Sequence, residues 1–467
     1  MAKKYTYYII VVLLVFSSVS CSKFLETPVT NRIAIDEIFT DFEGARTTMV
    51  GCYDNLRSYD YYMRDFYIYP DLTGGNIRYS KTRNPVLNNN YNFTNSNSTD
   101  FNDMAAFYKT AYATIYSINT VIKYVNKIPN ITIQQRNRFL ADAYALRALI
   151  HFDLVRVFAQ PYNLTTDASH TGIVIKNVNA EVGDPSPNPS SVKQVYDQIV
   201  ADFDSSIVFY GNSVPIYTAG NAKTWLSIDA AKAFLSKVCL YKGDWNRALQ
   251  LATALIDSKV YPLISNAQYA SSWSKKNISS ESIFEVAYGT NPGGSLGDFF
   301  NPTISGSNYI QFATTSDLLS MYDKNDIRMD VAMFKDTVFD NRPASFSKKY
   351  YGTNDSANNI KVIRSSELYL IAAEAAAELG NLDEGANYLN TIRKRANPTA
   401  ITFTATSKDA LIDEVLNERR REFCFEGNLF FDVARRKKNL VRIDCTSENA
   451  SFNYPNPKYA CTIPKNQ

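Results

Sequence analysis

Aromatic, amide and guanidinium side chains recur in two long segments without helical periodicity, residues 60–100 and 261–316. An aromatic ring can stack on an apolar sugar face, while amide and guanidinium groups hydrogen-bond hydroxyls and carbonyls. Loops of this length in a compact domain are usually functional or disordered, and the aromatic content argues against disorder. We therefore predict a ligand-binding surface formed by these loops. Its candidate binding residues are Asn76, Arg78, Tyr79, Tyr91, Trp273, Tyr288 and Tyr309.

Each of these aromatic side chains could instead pack against the helices. Trp273 is the strongest single candidate, because the sequence SSWSKKN has little apolar character to explain a tryptophan. The binding hypothesis predicts that Trp273→Ala weakens ligand binding with little loss of stability, whereas a packing role predicts the reverse.

Residues that could perform catalysis are few. The chain has only two histidines, His151 in a helical apolar pattern and His170 in a polar loop, and it has no C-x-x-C motif. We therefore expect no histidine-based hydrolase, no histidine-rich or C-x-x-C metal site and no cofactor, while a metal bound by loop oxygens stays an open alternative. Glycoside hydrolysis needs two carboxylates roughly 5–9.5 Å apart across a cleft. Asp71 and Asp298 lie in loop segments, but nothing in the sequence pairs them.

The first residues, 1–20, have the pattern of a secretory signal peptide. Lys3 and Lys4 precede an apolar stretch of fifteen residues that ends in small or β-branched side chains. That stretch is shorter than the ~20 residues of a membrane-spanning helix. Cys21 follows directly, where a thiol can be diacylated and become the first residue of a lipoprotein. We therefore predict anchoring to a membrane by lipid.

A cluster of arginines near the C-terminus, in NERRREFCFEGNLFFDVARRKK, could suggest a nucleic-acid contact. The whole chain, however, carries 49 basic and 46 acidic residues, and the signs interleave within this stretch. On a helix Glu418 can pair with Arg421, and Arg419 with Glu422, each pair contributing a few tenths of a kcal/mol if exposed. The pattern favours a structural ion network without nucleic-acid binding.

The remaining cysteines leave one alternative open. Cys445 and Cys461 lie in a Pro- and Asn-rich tail, where a disulfide could close a short loop, or both could stay free. Cys52, Cys239 and Cys424 sit in helical patterns and are expected to pack as small apolar groups.

Helical periodicity predicts α-helices in much of the chain. It predicts helices over residues 36–58, 102–127, 133–158 and 191–208, the last capped by Ser190 or Ser191. The alternating sequence SIFEVAY predicts one short strand.

Residues 224–257 and 364–396 share a spacing typical of tetratricopeptide-like helical hairpins. Each has a glycine that ends its first helix, a bulky apolar residue two positions later, and a small residue five positions later. The matched pairs are Gly243 and Gly380, Trp245 and Leu382, and Ala248 and Gly385. Because the two segments are not in tandem, they could also be unrelated hairpins.

Several motifs, taken in order, resemble the SusD/RagB family of cell-surface nutrient-binding lipoproteins. They are CSKFLE, ADAYALRALIHFDLVRVFAQPY, LYKGDW, SSELYLIAAEAAAELGN, YLNTIRKRAN and the arginine-rich stretch quoted above. The likeness spans essentially the whole mature chain. Leu429 departs from it at a position where the family typically has arginine, and Arg436 at one where an aromatic residue is common.

The resemblance implies a mainly α fold, in which tetratricopeptide-like helical hairpins support long irregular loops and a few short strands. It implies a protein without catalytic activity at the outer membrane. Such a protein captures oligosaccharide, or peptide in some members, and delivers it to a SusC-like TonB-dependent outer-membrane barrel. The alternatives are a membrane-anchored helical enzyme acting on glycosides and a scaffold that binds only proteins.

The resemblance to the family also implies a division of the chain into segments. A tether, residues 21–35, is expected to follow the signal peptide, and a single SusD-like domain to span residues 36–467. Its expected parts are a helical N-terminal half, a loop-rich ligand-face insertion and a C-terminal half, at residues 36–258, 259–363 and 364–467.

Overall fold

A computed structural model describes most of the chain from Ile35 onward. The described residues are 35–80, 86–181, 183–185, 187–218, 220–273, 279–288, 296–301, 312–330, 333–350 and 358–465. The predicted lipidation site Cys21 and the predicted binding residue Tyr309 lie outside these residues.

Helices make up most of the described structure. They are α1 Ile35–Ile38, α2 Phe42–Leu56, α3 Asp65–Gly74, α4 Asn88–Asn92, α5 Ala105–Tyr124, α6 Ile133–Phe158, α7 Val192–Gly211, α8 Ile228–Lys242, α9 Trp245–Asp257, α10 Leu296–Phe300, α11 Ser316–Ser320, α12 Ser365–Glu378, α13 Leu382–Ala396, α14 Lys408–Glu422 and α15 Leu429–Arg435.

The strands are short. They are β1 Ile77–Tyr79, β2 Ser282–Val286, β3 Phe312–Thr314, β4 Phe334–Phe339, β5 Arg342–Ser347, β6 Ile360–Arg364, β7 Leu440–Val441 and β8 Ser451–Phe452. All of their pairings are antiparallel: β1-β3-β5-β4 form one sheet, and β2-β6 and β7-β8 form two-stranded ribbons. The mainly α fold class with a few short strands is confirmed.

The longer helices pack in sequence. Helix α5 packs on α6, α6 on α7, α7 on α8 and α8 on α9, and α12 then packs on α9, α13 and α14. Most of the buried apolar side chains form one continuous core along this array. The four-stranded sheet joins residues before α4 to residues after α10, so the two predicted loop segments meet at one end of the helical array.

The helix predictions were accurate where caps are strong. Helix α6 spans the predicted residues, with a capping box at Thr132 and Gln135. Ser191 caps α7 through a second capping box with Gln194. The predicted helix over residues 36–58 is wrong in one respect, because Asp41 accepts a hydrogen bond from Gly44 N and starts a new helix.

The two predicted hairpins are α8–α9 and α12–α13. Gly243 and Gly380 both have positive φ, at 82° and 87°, and each follows the first helix of its pair. Gly385 allows close packing, since an added Cβ would lie 2.8 Å from the carbonyl oxygen of Ala373 and 2.9 Å from Leu411 Cδ2. The small residue in the hairpin spacing therefore marks a close helix–helix contact.

The loop prediction for residues 60–100 is wrong for its first part. Helix α3 lies there, and all of its residues are buried. Its carboxylate Asp71 accepts hydrogen bonds from the backbone N–H groups of Phe425 and Gly427, at 2.8 and 2.9 Å. A helix that is buried all round has no amphipathic period, which explains why periodicity did not reveal it.

The arginine-rich stretch forms α14, a short turn and α15. The predicted pair of Glu418 and Arg421 is present, at 2.7 Å. The predicted pair of Arg419 and Glu422 is wrong, because both side chains are buried and make ion pairs with other elements. The interpretation as a structural ion network is supported, but it links helices through the interior instead of along one exposed face.

The five described cysteines are free, including Cys445 and Cys461. The Cys461 thiol is buried and lies 3.6 Å from the hydroxyl of Tyr69. Among the described helices, none has both the length and the apolar character required to cross a membrane.

Candidate ligand-binding surface

The connection between α2 and α3 turns some of its side chains inward and others outward. Tyr61 and Tyr62 are buried, and their hydroxyls both donate to Asp153 Oδ2, at 2.6 and 2.7 Å. The turn is closed by a backbone hydrogen bond from Asp65 N to Tyr59 O at 2.9 Å. Anchoring the two tyrosines leaves Tyr59 and Arg64 half-buried at the surface.

Tyr59, Asp60, Arg64, Asp298 and Phe299 form a half-buried group that we call the Arg64 cluster. The guanidinium carbon of Arg64 lies 5.2 Å from the centroid of the Tyr59 ring and 5.9 Å from that of Phe299. Both distances fall within the range of cation–π contacts. The cluster combines two apolar rings with charged hydrogen-bonding groups, and α2–α3 and α10 supply them from distant parts of the sequence.

Charges around Arg64 are partly compensated. Asp65 pairs with it in a bidentate manner, at 2.6 and 3.2 Å. Burial raises the pKa of Asp65 to about 6, against the lowering effect of the Arg64 hydrogen bond. Burial, and the nearby Asp298 carboxylate, also raise the pKa of Tyr59. The Arg64 side chain is still 24% exposed, so part of it can meet solvent or a ligand.

A stack of aromatic rings supports the cluster from beneath. Phe299 lies 5.9 Å from Phe312 between ring centroids, Phe312 lies 6.1 Å from Tyr79, and Tyr79 lies 4.6 Å from Tyr91. Tyr79 and Tyr91 are 4% and 1% exposed. The structure therefore brings these two predicted binding residues together, but in the layer below the surface.

The other two predicted residues, one directly before β1 and one within it, hold the sheet and the helices together. Asn76 is fully buried, donates to Asp71 Oδ1 at 2.7 Å and accepts from Arg420 Nε at 2.9 Å. Arg78 is half-buried and donates to the carbonyl oxygens of Phe339 and Pro343, both at 3.0 Å. Arg78 is thus the only one of the four predicted residues from residues 76 to 91 with an accessible side chain.

Trp273 is buried, whereas a ligand-binding role would require an exposed ring. It is 3% exposed, and Lys361 Nζ and Lys349 Nζ lie 4.5 and 4.9 Å from its ring centroid. The short SSWSKKN segment gave no sign of this burial, because the partners come from β6 and from the residues directly after β5. A direct ligand contact by Trp273 stays a prediction, and its burial argues against it.

Tyr288 is half-buried just after β2, where its backbone N–H donates to Asn359 Oδ1 at 3.0 Å. It does not belong to the Arg64 cluster as defined above. The predicted residues therefore fall into a buried set, two half-buried residues on different elements, and Tyr309 outside the described residues. The buried set is Asn76, Tyr79, Tyr91 and Trp273.

Tyr59, Arg64 and Phe299 are not among the residues predicted from the sequence. Tyr59 and Arg64 lie in SYDYYMRDF, and Phe299 lies in GDFFNP. One feature of the sequence could have indicated them, namely the run of tyrosines directly after a helix. The chain turns there, so some of the rings must point outward. That pattern indicates some outward-facing aromatic residues without identifying them.

The two carboxylates considered for glycoside hydrolysis have different environments. Asp71 is fully buried and holds the backbone of residues 425–427, as described above. Burial raises its pKa to about 6. Asp298 is half-buried in the Arg64 cluster. Because Asp71 has no access to a substrate, the two do not form a catalytic pair across an open cleft.

The sequence is similar to two family models and to known proteins. Residues 338–459 match the model of the SusD family, and residues 23–240 match a family model described as starch-binding associating with outer membrane. SusD-like protein P38 of Formosa agariphila is 24% identical, and the alignment covers 90% of this chain and 88% of the relative.

Solved structures from Bacteroides share the fold over most of its length. A SusD superfamily protein of Bacteroides vulgatus is 25% identical with a TM-score of 0.80, covering 91% of this chain and 96% of that one. A candidate sugar-binding protein of the same organism is 27% identical with a TM-score of 0.77, over the same shares of the two chains. Together with the two family models, these similarities show that the chain belongs to the SusD/RagB family.

Proposed function

We propose that this protein is a non-catalytic, glycan-binding lipoprotein of the outer membrane, and that it captures oligosaccharides at the Arg64 cluster. The observation that carries the proposal is the placement of two half-buried aromatic rings around one guanidinium. Rings of this kind can stack on sugar faces, while Arg64, Asp60 and Asp298 can hydrogen-bond hydroxyl groups.

Several lines support this proposal over the alternatives. The family model that matches residues 23–240 is described as starch-binding, and a relative of 27% identity is a candidate sugar-binding protein. The burial of Asp71 removes one member of the suggested hydrolytic pair. In the proposal Arg78, Tyr288 and Tyr309 extend the binding surface, and the buried Asn76, Tyr79, Tyr91 and Trp273 support it.

The direct test uses the soluble form that lacks residues 1–21, applied to an array of glycans and peptides. Binding of a neutral oligosaccharide is expected, and Phe299→Ala should weaken it about tenfold, which corresponds to ~1.4 kcal/mol of lost stacking. Tyr388→Ala is the matched control, because Tyr388 is also a half-buried aromatic residue but lies on α13. Equal loss of affinity in both variants, or binding of peptides alone, would refute the proposal.

Delivery and anchoring form the second part of the proposal. Diacylated Cys21 would hold the protein at the membrane, and a SusC-like TonB-dependent barrel would receive the ligand. Cys21→Ala should abolish incorporation of labelled palmitate and release the protein from the membrane fraction. Co-purification of such a barrel with the lipidated protein tests the partner. A barrel that co-purifies while no saccharide binds would instead favour a protein-only scaffold, and turnover of a labelled oligosaccharide would favour an enzyme.

A further inference from the structure

A second surface opening lies along α5, away from the predicted loops. It has a volume of about 660 Å³ and runs between α5, residues 174–180 and 187–189, and the C-terminal tail at Ile463. We call it the α5 groove. Its volume is in the range of small-molecule binding sites.

Tyrosines and one lysine dominate the wall that α5 contributes. Lys109, Tyr112, Ala113 and Tyr116 follow one another at helical spacing and therefore share one face. Tyr112 and Tyr116 are one turn apart, about 6 Å along the axis, a spacing similar to that of neighbouring sugar rings. Tyr116 is 49% exposed, and the small Ala113 leaves the space beside it open.

The opposite wall is held in place by side chains of α5 and α6. The Tyr112 hydroxyl donates to Val174 O at 2.8 Å, and Asn119 Nδ2 donates to Lys176 O at 3.1 Å. His151 Nε2 accepts from Lys176 N at 3.3 Å. These bonds fix the backbone next to the groove, so the opening belongs to an ordered part of the fold.

The charge of the groove has one sign. Lys109 and Lys176 both line it, and none of the described lining residues is acidic. Within the described chain, neither lysine is paired with a carboxylate. The groove therefore offers two uncompensated ammonium groups beside stacking tyrosine rings.

The groove is separate from the Arg64 cluster. Thr110 contacts Asp60 of that cluster at 3.4 Å, and Thr114 accepts from Asn55 at 3.1 Å. Thr110 and Thr114 each lie two positions from a groove tyrosine, which is about 200° around a helix. The two surfaces thus open on opposite sides of α5.

We infer that the α5 groove is a second saccharide site, selective for oligosaccharides that contain uronic acids. The tyrosine rings stack on the sugar faces, and Lys109 and Lys176 neutralise the carboxylates of the sugars. Neutral saccharides would leave both ammonium groups unused. This inference does not depend on ligand binding at the Arg64 cluster.

The test measures calorimetric binding of hexagalacturonate and of neutral maltohexaose to the soluble form lacking residues 1–21. Hexagalacturonate should bind, more weakly as salt is added. Lys109→Glu should weaken it at least about fivefold, and Tyr116→Ala about threefold to tenfold. Both side chains are exposed, so both variants are expected to fold. Lys394→Glu, an exposed charge reversal on α13, is the control and should bind like wild type.

Other outcomes overturn the inference. No binding of hexagalacturonate by the wild-type protein excludes the site. Binding lost in Phe299→Ala and retained in both groove variants assigns the acidic sugar to the Arg64 cluster. Equal binding of maltohexaose at the groove removes the selectivity. A concentration-dependent dimer that both groove variants abolish, seen by sedimentation without sugar, assigns the groove to a second copy of the chain.

Discussion

Two aromatic–cation groups in this protein share their chemistry but differ in depth. In the interior, Lys361, Lys349 and Arg364 surround the Trp273 ring at 4.5, 4.9 and 5.7 Å. At the surface, the ring centroids of Tyr59 and Phe299 lie 5.2 and 5.9 Å from the guanidinium carbon of Arg64. Judged only by the types of their residues, both groups could bind a ligand. The difference in burial favours a structural role for the first group, and the second is partly exposed to solvent.

The interior group requires dense charge pairing because buried ions are costly unless compensated. Arg364 pairs with Glu422 at 2.6 Å and with Glu281 at 3.0 Å, and Lys349 pairs with Glu426 at 2.7 Å. In the Arg64 cluster, by contrast, Asp65 is the direct carboxylate partner of Arg64. Carboxylates at half-buried positions can be solvated and can exchange water for a sugar hydroxyl.

The largest effect is expected from Glu422→Gln. Glu422 is fully buried and pairs with Arg328, Arg364 and Arg395, which hold its pKa well below the usual range. Removing its charge leaves these arginines undercompensated and should cost about 3–5 kcal/mol of unfolding free energy. Urea unfolding at neutral pH measures the loss.

Asp413→Asn is the control for this prediction. Asp413 is 56% exposed and pairs with Lys438 at 2.7 Å, so its loss should cost less than about 1 kcal/mol. Similar losses in the two variants would mean that burial does not set the strength of these pairs.

The second prediction is that Trp273→Ala affects stability and not ligand binding, the reverse of what the binding hypothesis from the sequence predicts. Because the ring is 3% exposed, Trp273→Ala should create a cavity and cost about 3 kcal/mol or more. Saccharide affinity of the fraction that remains folded should be unchanged. Calorimetric titration below the unfolding transition checks this, and a loss of affinity with unchanged melting temperature would restore Trp273 as a binding residue.

The helical part of the fold could be predicted because its signals are local. The capping box at Ser191 and the glycines at positions 243 and 380 determine where helices begin or end, and these signals need no distant partner. Helix α3 escaped prediction because burial on every side removes the periodicity. Its burial depends on contacts with residues such as Phe425 and Gly427, more than 350 positions away.

The candidate site could be predicted as a region but not residue by residue. The sequence predicts a site formed by residues 60–100 and 261–316, and the sheet joins these segments through β1 and β3. Tyr59 of the Arg64 cluster lies one residue before the first of them. Which ring faces solvent depends on tertiary partners: Tyr61 and Tyr62 turn inward to Asp153, while Tyr59 of the same run remains at the surface. The sequence around Tyr59–Tyr62 does not reveal that Asp153, which is distant along the chain, accepts hydrogen bonds from Tyr61 and Tyr62.

The third prediction concerns a buried titratable group next to the α5 groove. Burial, and the nearby Arg147, lower the pKa of His151 from 6.5 to about 3. The unfolded chain therefore binds the proton first, so stability is complete above pH 6.5 and declines as the pH falls towards 3. The decline attributable to His151 should approach about 1.4 kcal/mol per pH unit.

His151→Gln should flatten this part of the pH dependence, although it could lower stability at neutral pH by weakening the hydrogen bond from Lys176 N. Chemical unfolding at intervals between pH 7 and pH 4 measures the slope in both proteins. His170→Gln is the matched control, because His170 is half-buried in a loop. Identical slopes in wild type and His151→Gln would show that His151 is not the group responsible.

The smallest change in stability, and the sharpest test of the comparison, is expected from Arg64→Lys. The substitution keeps the charge beside Asp65, so the unfolding free energy should change by less than about 1 kcal/mol. It removes the planar guanidinium that contacts both Tyr59 and Phe299, and an ammonium group cannot stack in the same way. Affinity for a neutral oligosaccharide found on the array should therefore fall severalfold, as measured by calorimetry. If Arg64→Lys lowers stability as much as Trp273→Ala and leaves affinity intact, the surface cluster is structural as well, and depth would not separate the two groups.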